Sequence, residues 1–253
     1  MKGLKIKKLS KAMNGLKIVE QVTANFLPGR ITALIGPNGA GKTTLFHLIT
    51  SELKVDKGEI VYGDETITNL PPYLVARKGV GRLFQDIRVF GNMTAFENVA
   101  TACYGPCFET PWFPFFNLKR MKSINNDIRE RAFHWLNFVD LAEKKDHPAA
   151  SLSYGQQKLL AIARLLAGGF SLLLLDEPTA GLNPVMIKNV LRLLEKIITE
   201  DRSKTVILVE HNMGVVNEVA DWVYFMNEGR IAFFGRTDHV LGDKEVREIY
   251  LGL

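Results

Sequence analysis

The stretch Gly36-Pro37-Asn38-Gly39-Ala40-Gly41-Lys42-Thr43-Thr44 decides how this chain is read. It fits G-x-x-x-x-G-K-[ST], the pattern of a phosphate-binding loop. An apolar run, Ile31 to Ile35, precedes it and reads as a buried strand. Leu45-Phe46-His47-Leu48-Ile49 follows and reads as the first turns of a helix. That order of strand, loop and helix is the context the pattern requires, and a glycine-rich turn with a chance lysine would lack it. Glycines let the backbone curl so that successive N–H groups point inward at phosphate oxygens, and the helix N-terminus adds positive potential. Lys42 is placed to reach the β- and γ-phosphates, and the Thr43 hydroxyl suits Mg²⁺. The sequence therefore predicts a nucleoside triphosphate site.

Composition narrows the remaining classes. The 253 residues are 47% hydrophobic and 23% charged, which suits a globular enzyme with one or two cores. The net charge of +5 raises nucleic acid or anionic lipid as partners. No dense Lys/Arg block appears, however, and aromatics are not interleaved with basic residues, so no nucleic-acid partner is predicted. Cys103 and Cys107 have no second Cys/His pair to complete a zinc site and read as reduced thiols. Met1 to Ser10 carries lysines but no apolar signal-peptide core. The longest apolar region, Leu159 to Leu175, is interrupted by Arg164 and two glycines and ends at Asp176-Glu177. It reads as a helix followed by a buried strand, because a span needs about 20 apolar residues.

Working outward from the loop, Leu4 to Lys7, Ile18 to Phe26 and Ile31 to Ile35 suggest a small antiparallel sheet leading into the phosphate-loop strand. Lys57 to Gly63 and Val80 to Phe84 read as further strands. Residues 94–160 turn helical, as in Asp127 to Val139, where Ile128, Ala132, Trp135 and Phe138/Val139 recur at three- and four-residue spacing. Between the helices, Tyr104 to Asn126 holds Pro106, Pro111 and Pro114 with Phe108, Trp112, Phe113, Phe115 and Phe116. It reads as an ordered loop, either packed on its own helices or offering a sticky surface to a membrane-embedded partner. The α/β pattern returns with the buried strand Leu172 to Leu175, a helix from Pro184 to Glu200, and strands at Thr205 to Val209 and Val223 to Met226.

Asp176 ends an apolar parallel strand, where open α/β sheets bind their ligands, and there it can hold Mg²⁺. Glu177 follows directly. Neighbouring strand residues face opposite ways, so the division of labour is Asp176 for the metal and Glu177 as the base acting on the attacking water. His211 ends the next apolar run and reads as a γ-phosphate contact.

With these residues in place, Leu152-Ser153-Tyr154-Gly155-Gln156-Gln157-Lys158 resembles the signature sequence of ABC-type ATPases. The phosphate loop, Gln85 as the Q-loop glutamine, Asp176-Glu177-Pro178, Ala180-Gly181-Leu182-Asn183 as the D-loop and His211 as the switch histidine stand in that family's order over nearly the whole chain. The resemblance implies an α/β P-loop core with an antiparallel β-subdomain and an inserted helical subdomain. The core would comprise residues 1–84 and 168–253, and the helical part 85–167. It implies ATP and Mg²⁺ as cofactors, with Thr43, Gln85 and Asp176 serving the metal. It further implies a head-to-tail dimer, homomeric or with a sister ATPase. In that dimer Ser153, Tyr154, Gly155 and Gln156 of one subunit contact the γ-phosphate held by the other. The chain would sit peripherally at the cytoplasmic face of the membrane and drive permease subunits, with a solute-binding protein as an indirect partner.

A finer resemblance is carried by Phe84 to Val99, by the tyrosine in Ser153-Tyr154-Gly155, by Ala180 to Pro184 and by Glu248 to Gly252. These look like the branched-chain amino-acid importer subgroup. Urea importers and lipopolysaccharide exporters share parts of the pattern, and an ATP-gated regulatory module with little turnover is the rival of another kind. A soluble cassette acting on DNA or ribosomes would carry long coiled coils or two cassettes. Two departures stand out. Where the family stacks adenine on an aromatic residue, the register lands on Met13, and residues 1–25 hold no Phe, Tyr or Trp. Gly168-Gly169-Phe170 replaces a stretch where proline is common, for which only a local loop change is expected.

Overall fold

The strand that leads into the phosphate loop, Arg30–Ile35 (β3), lies inside a six-stranded sheet of the computed structural model, which describes residues 1–103 and 118–251. Its neighbours are Thr205–Val209 (β8) and Trp222–Asn227 (β9), both parallel to it. Leu172–Asp176 (β7) and Val80–Leu83 (β6) extend the parallel set on one side, and Arg230–Arg236 (β10) adds an antiparallel edge on the other. Every residue of β7 and β8 is buried. This is why they read as unbroken apolar runs: a parallel sheet is covered on both faces. Alternation still sorts the side chains. Leu34, Leu172, Leu174, Ile207, Tyr224 and Met226 join one core, while Ala33, Ile35, Val223 and Phe225 join another with Val216, Val240 and Val246.

The first core continues into a four-stranded antiparallel sheet, in the order β2-β1-β4-β5, of Leu16–Phe26, Leu4–Met13, Lys57–Tyr62 and Glu65–Thr66. Strand β1 runs well past the predicted Lys7. Its alternation breaks where Lys8 adopts a φ of +46° and the register with both neighbours shifts, which hid the second half. The turn into β2 is Asn14-Gly15, both at positive φ (50° and 80°), the pairing that closes a two-residue hairpin. Strand β10 was not anticipated from the sequence. Its residues alternate between exposed and half-buried with none fully buried, so it lacks the apolar run that marked the central strands, and its register with β9 shifts between Ile231 and Phe233.

Helix α1, Lys42–Ile49, follows the phosphate loop. Helix α2 is Pro72–Arg77. The chain divides into two compact units, Met1–Gln85 with Ser171–Leu253, and Asp86–Phe170. Within the second lie α3 (Ala95–Cys103), α4 (Leu118–Phe138) and α5 (Tyr154–Ala167). Most of the Pro/aromatic segment, residues 104–117, falls outside the described residues, and Cys107 with it. Its C-terminal part is helix rather than loop. Helix α4 begins at Leu118, before the predicted Asp127, because Ile124 and Ile128 already carry the four-residue spacing that Ala132 and Leu136 continue. Arg131 donates to the carbonyls of Cys103 (3.4 Å) and Ala167 (3.2 Å), tying the ends of α3 and α5 together. Buried Asn98 in α3 accepts from the Phe90 N–H and donates to the carbonyls of Phe90 and Thr94, fixing the segment that follows Gln85.

In the first unit, α6 spans the predicted Pro184–Glu200 and buries Val190, Leu191, Leu193, Leu194 and Ile197. Its cap is Asn183, whose side-chain oxygen accepts from the Met186 N–H at 2.9 Å, with Pro184 in the first turn. Short helices α7 (Met213–Val219), α8 (Thr237–Gly242) and α9 (Lys244–Leu251) complete the unit. No helix among the described residues is long and apolar enough to cross a membrane.

Candidate nucleotide site

The loop between β3 and α1 can be made only with glycine at its first position. Gly36 has a φ of +148°, and a Cβ there would lie 1.9 Å from the Met226 carbonyl oxygen. Gly41, at φ +99°, caps α1 with Ile18 O only 2.6 Å from where a Cβ would sit. Asn38 and Gly39 are exposed at the mouth, between half-buried Pro37 and buried Ala40. Lys42 is buried and curls back, its ammonium donating to the carbonyls of Gly36 (2.8 Å) and Pro37 (2.9 Å). Burial pulls that ammonium below the usual lysine range, and the charges of Glu177 and Asp176 oppose the shift without cancelling it. Thr43 is exposed and Thr44 half-buried at the helix start.

Strand β7 delivers the two carboxylates. Asp176, on the same face as Leu172 and Leu174, is 3% exposed, and its Oδ2 accepts from Arg82 at 2.8 Å. Glu177 leaves the strand at a φ of +47°, unusual for a residue with a side chain. Its N–H is held by the Val209 carbonyl at 2.9 Å. This turn brings together three residues far apart in sequence. Gln85 Nε2 donates to Glu177 Oε2 at 2.9 Å, and His211 Nε2 lies 2.9 Å from Glu177 Oε1. Both Gln85 and His211 therefore converge on the carboxylate read as the base.

Ser153 to Gln156 lie in the second unit, at the start of α5. The Ser153 hydroxyl accepts from the Gln156 N–H (3.3 Å), and the Gln156 side-chain oxygen accepts from the Ser153 N–H (3.0 Å). This capping box fixes the helix start. Tyr154 is half exposed and Gly155 buried.

Sequence reasoning missed three supporting residues. Glu210 is 3% exposed and accepts from the Thr179 N–H (3.0 Å), the Thr179 hydroxyl (2.6 Å) and the His211 N–H (3.2 Å). It thus couples the loop after Glu177 to the histidine. The Tyr250 hydroxyl donates to the His211 carbonyl at 2.8 Å. Arg82 is the third. The available signal was a charged residue inside a short strand for Arg82, and a carboxylate directly after the apolar strand Thr205–Val209 for Glu210.

The sequence profile described as ABC transporter matches residues 19–180. The chain belongs to the ABC transporter family. It is 35% identical over 249 residues to the high-affinity branched-chain amino acid transport ATP-binding protein BraF of Pseudomonas aeruginosa, covering 98% of this chain and 97% of that one. It is 30% identical over 253 residues to the lipopolysaccharide export system ATP-binding protein LptB of Escherichia coli, covering 100% and 98%. Among solved structures, the ADP conformation of an ATP-binding cassette of an ABC transporter superposes with a TM-score of 0.84 at 31% identity, over 100% of both chains. The P-loop ATPase cassette fold is therefore shared along the entire length of this family member.

The residues that the family resemblance assigns to a metal would offer hard oxygens: the Thr43 hydroxyl, an Asp176 carboxylate and the Gln85 amide oxygen. They fit Mg²⁺, which takes one or two carboxylates and fills its remaining positions with phosphate and water. Among the described residues no group of three or more His, Cys, Asp or Glu is positioned to hold a metal.

Proposed function

We propose that this chain is the ATP-binding and ATP-hydrolysing subunit of a membrane transporter that imports branched-chain or related hydrophobic amino acids. The observation that carries the ATPase reading is the convergence of Gln85 and His211 on Glu177, next to Asp176 and the phosphate loop. The phosphate loop, Gly36 to Thr44, cradles the phosphates with its N–H groups. Lys42 exchanges its contacts with Gly36 and Pro37 for phosphate oxygens. Thr43, Asp176 and Gln85 would hold Mg²⁺, which would supply charge neutralisation for the phosphates. Glu177 takes the proton of the attacking water. The oxygen of that water bonds to the γ-phosphorus, the bond to the β–γ bridging oxygen breaks, and ADP and phosphate leave. His211 and Lys42 stabilise the γ-phosphate as this happens.

Two cassettes close head to tail on this reading. The capped start of α5 in each, Ser153 to Gln156, brings a helix N-terminus to the γ-phosphate bound by the other. The unit Asp86–Phe170 is the helical subdomain that relays occupancy from Gln85 to a permease. The chain acts peripherally at the cytoplasmic face of the membrane, with a solute-binding protein delivering the cargo to the permease.

Similarity to BraF along nearly the full length supports amino acids as cargo. The somewhat lower similarity to LptB favours lipopolysaccharide export as the second reading. Reconstitution with permease subunits of the amino-acid importer type and of the lipopolysaccharide exporter type separates them. Leucine with its binding protein should stimulate ATP hydrolysis several-fold on the first reading. Stimulation by lipopolysaccharide and indifference to amino acids would overturn it.

A further inference from the structure

Strand β6 is Val80-Gly81-Arg82-Leu83, and its one charge points into the protein. Arg82 pairs in register with Leu174, so it shares a sheet face with Leu172, Leu174 and Asp176. Its side chain is 5% exposed. The guanidinium carbon lies 4.9 Å from the Phe84 ring centre and 5.7 Å from that of Phe46 in α1. The two amino groups serve different partners. Nη2 donates to Asp176 Oδ2 at 2.8 Å, while Nη1 lies 3.2 Å from His47 Nδ1 and 3.4 Å from each oxygen of Glu52. Glu52 is itself held by His47 Nδ1 at 2.7 Å and by the Thr50 hydroxyl at 2.9 Å. Burial pushes the Glu52 carboxyl up, and the hydrogen bonds from Thr50 and His47 with the charge of Arg82 overcome it and hold it below the usual range.

A continuous polar chain thus runs from the last turn of α1 and the Glu52 loop through Arg82 to the carboxylate at the end of β7. Desolvating a guanidinium between two aromatic rings is costly, and an apolar residue of similar size would fill the space at no such cost. The Nε of Arg82 is buried without a hydrogen-bond partner, a further cost that a side chain kept for stability alone would not carry.

We infer that Arg82 is a positioning residue for Asp176: it occupies Oδ2, fixes the plane of the carboxylate against α1, and leaves Oδ1 for Mg²⁺. The inference rests on the metal role proposed for Asp176. A lysine would not substitute fully, because a point charge cannot bridge Asp176 and Glu52 as a planar fork does. Partners that orient a ligating carboxylate are worth about 10- to 100-fold in metal affinity.

The test is binding of a fluorescent trinitrophenyl-ATP to the purified chain, with Mg²⁺ titrated and separately in EDTA. Arg82→Gln should raise the Mg²⁺ concentration at half-saturation about tenfold or more, while affinity in EDTA stays within about twofold of the native chain. Arg82→Lys should shift it in the same direction by less, and it reads the same quantity if Arg82→Gln does not fold. Asp176→Asn is the control. An equal loss of affinity with and without Mg²⁺ would make Arg82 a scaffold residue only and overturn the inference, as would an unchanged Mg²⁺ dependence. If Asp176→Asn shifts the Mg²⁺ dependence and the Arg82 variants do not, the inference alone fails. If Asp176→Asn itself leaves that dependence untouched, the metal role of Asp176 fails and the inference falls with it.

Discussion

Replacing Glu210 tests how His211, proposed above as a γ-phosphate contact, is held. The carboxylate is 3% exposed and accepts three hydrogen bonds, two from Thr179 and one from the His211 N–H. Bonds to a charged acceptor are each worth about 1.5–3 kcal/mol, and withdrawing the carboxylate from water costs several kcal/mol in the other direction. Glu210→Gln keeps the shape and one acceptor oxygen. That oxygen can serve either Thr179 or His211 but not both, so one side of the bridge is lost. The expected net destabilisation is about 2 kcal/mol, which for a chain of this size lowers Tm by roughly 4–8 °C. Thr179→Ala removes the 2.6 Å hydroxyl bond to the same carboxylate, so the two substitutions should couple by about 1 kcal/mol in a double-mutant cycle. Scanning calorimetry reads both quantities, and steady-state ATPase reads the consequence, a lower kcat as His211 loses its anchor. A Tm within about 1 °C of the native value, or Thr179 and Glu210 effects that simply add, would refute the bridging role.

Tyr224 offers a pH-dependent test. Its hydroxyl accepts from the Asn25 N–H at 2.9 Å and donates to the Asn25 carbonyl at 3.2 Å. Tyr224→Phe should cost about 1–2 kcal/mol. Burial raises the Tyr224 hydroxyl above its usual pKa. Its contribution is therefore complete below the unfolded-state pKa near 10 and lost as pH climbs through the folded one, so calorimetry should show the native chain losing its advantage over Tyr224→Phe in that window. Met13, 42% exposed at the end of β1 beside the Asn14-Gly15 turn, offers no aromatic face for a base. GTP should compete with ATP to within about tenfold, and Met13→Tyr should sharpen the preference for ATP by a stacking contribution of about 1 kcal/mol. Strict ATP preference in the native chain would count against this.

The most legible parts of the chain were those in which one local rule governs the outcome. Gly36 to Thr44 is readable because the loop requires glycine where Met226 O approaches, and β7 because full burial leaves only apolar residues until Asp176. The helix from Pro184 could be placed because its cap, first-turn proline and apolar stripe agree. The second half of β1 was obscured by a bulge at Lys8, although the Asn14-Gly15 signal was present and unused. At the site, Asp176, Glu177, Gln85 and His211 were named from strand ends and motif order. The meeting of Gln85 and His211 on Glu177 depends on a backbone turn at Glu177 with positive φ that no pattern in the sequence announces. Glu210 and Arg82 were missed because their partners, Thr179 and Asp176, are brought to them by strand pairing across the sheet rather than by spacing along the chain.

The most direct test of the account is a crystal structure of Glu177→Gln with ATP and Mg²⁺. The predicted result is a head-to-tail pair enclosing two nucleotides. Ser153 and the Gly155 N–H of each subunit would lie within hydrogen-bond reach of the γ-phosphate that Lys42 of the other subunit holds. ATP fully bound by a solitary subunit, with the start of α5 turned toward solvent, would contradict it.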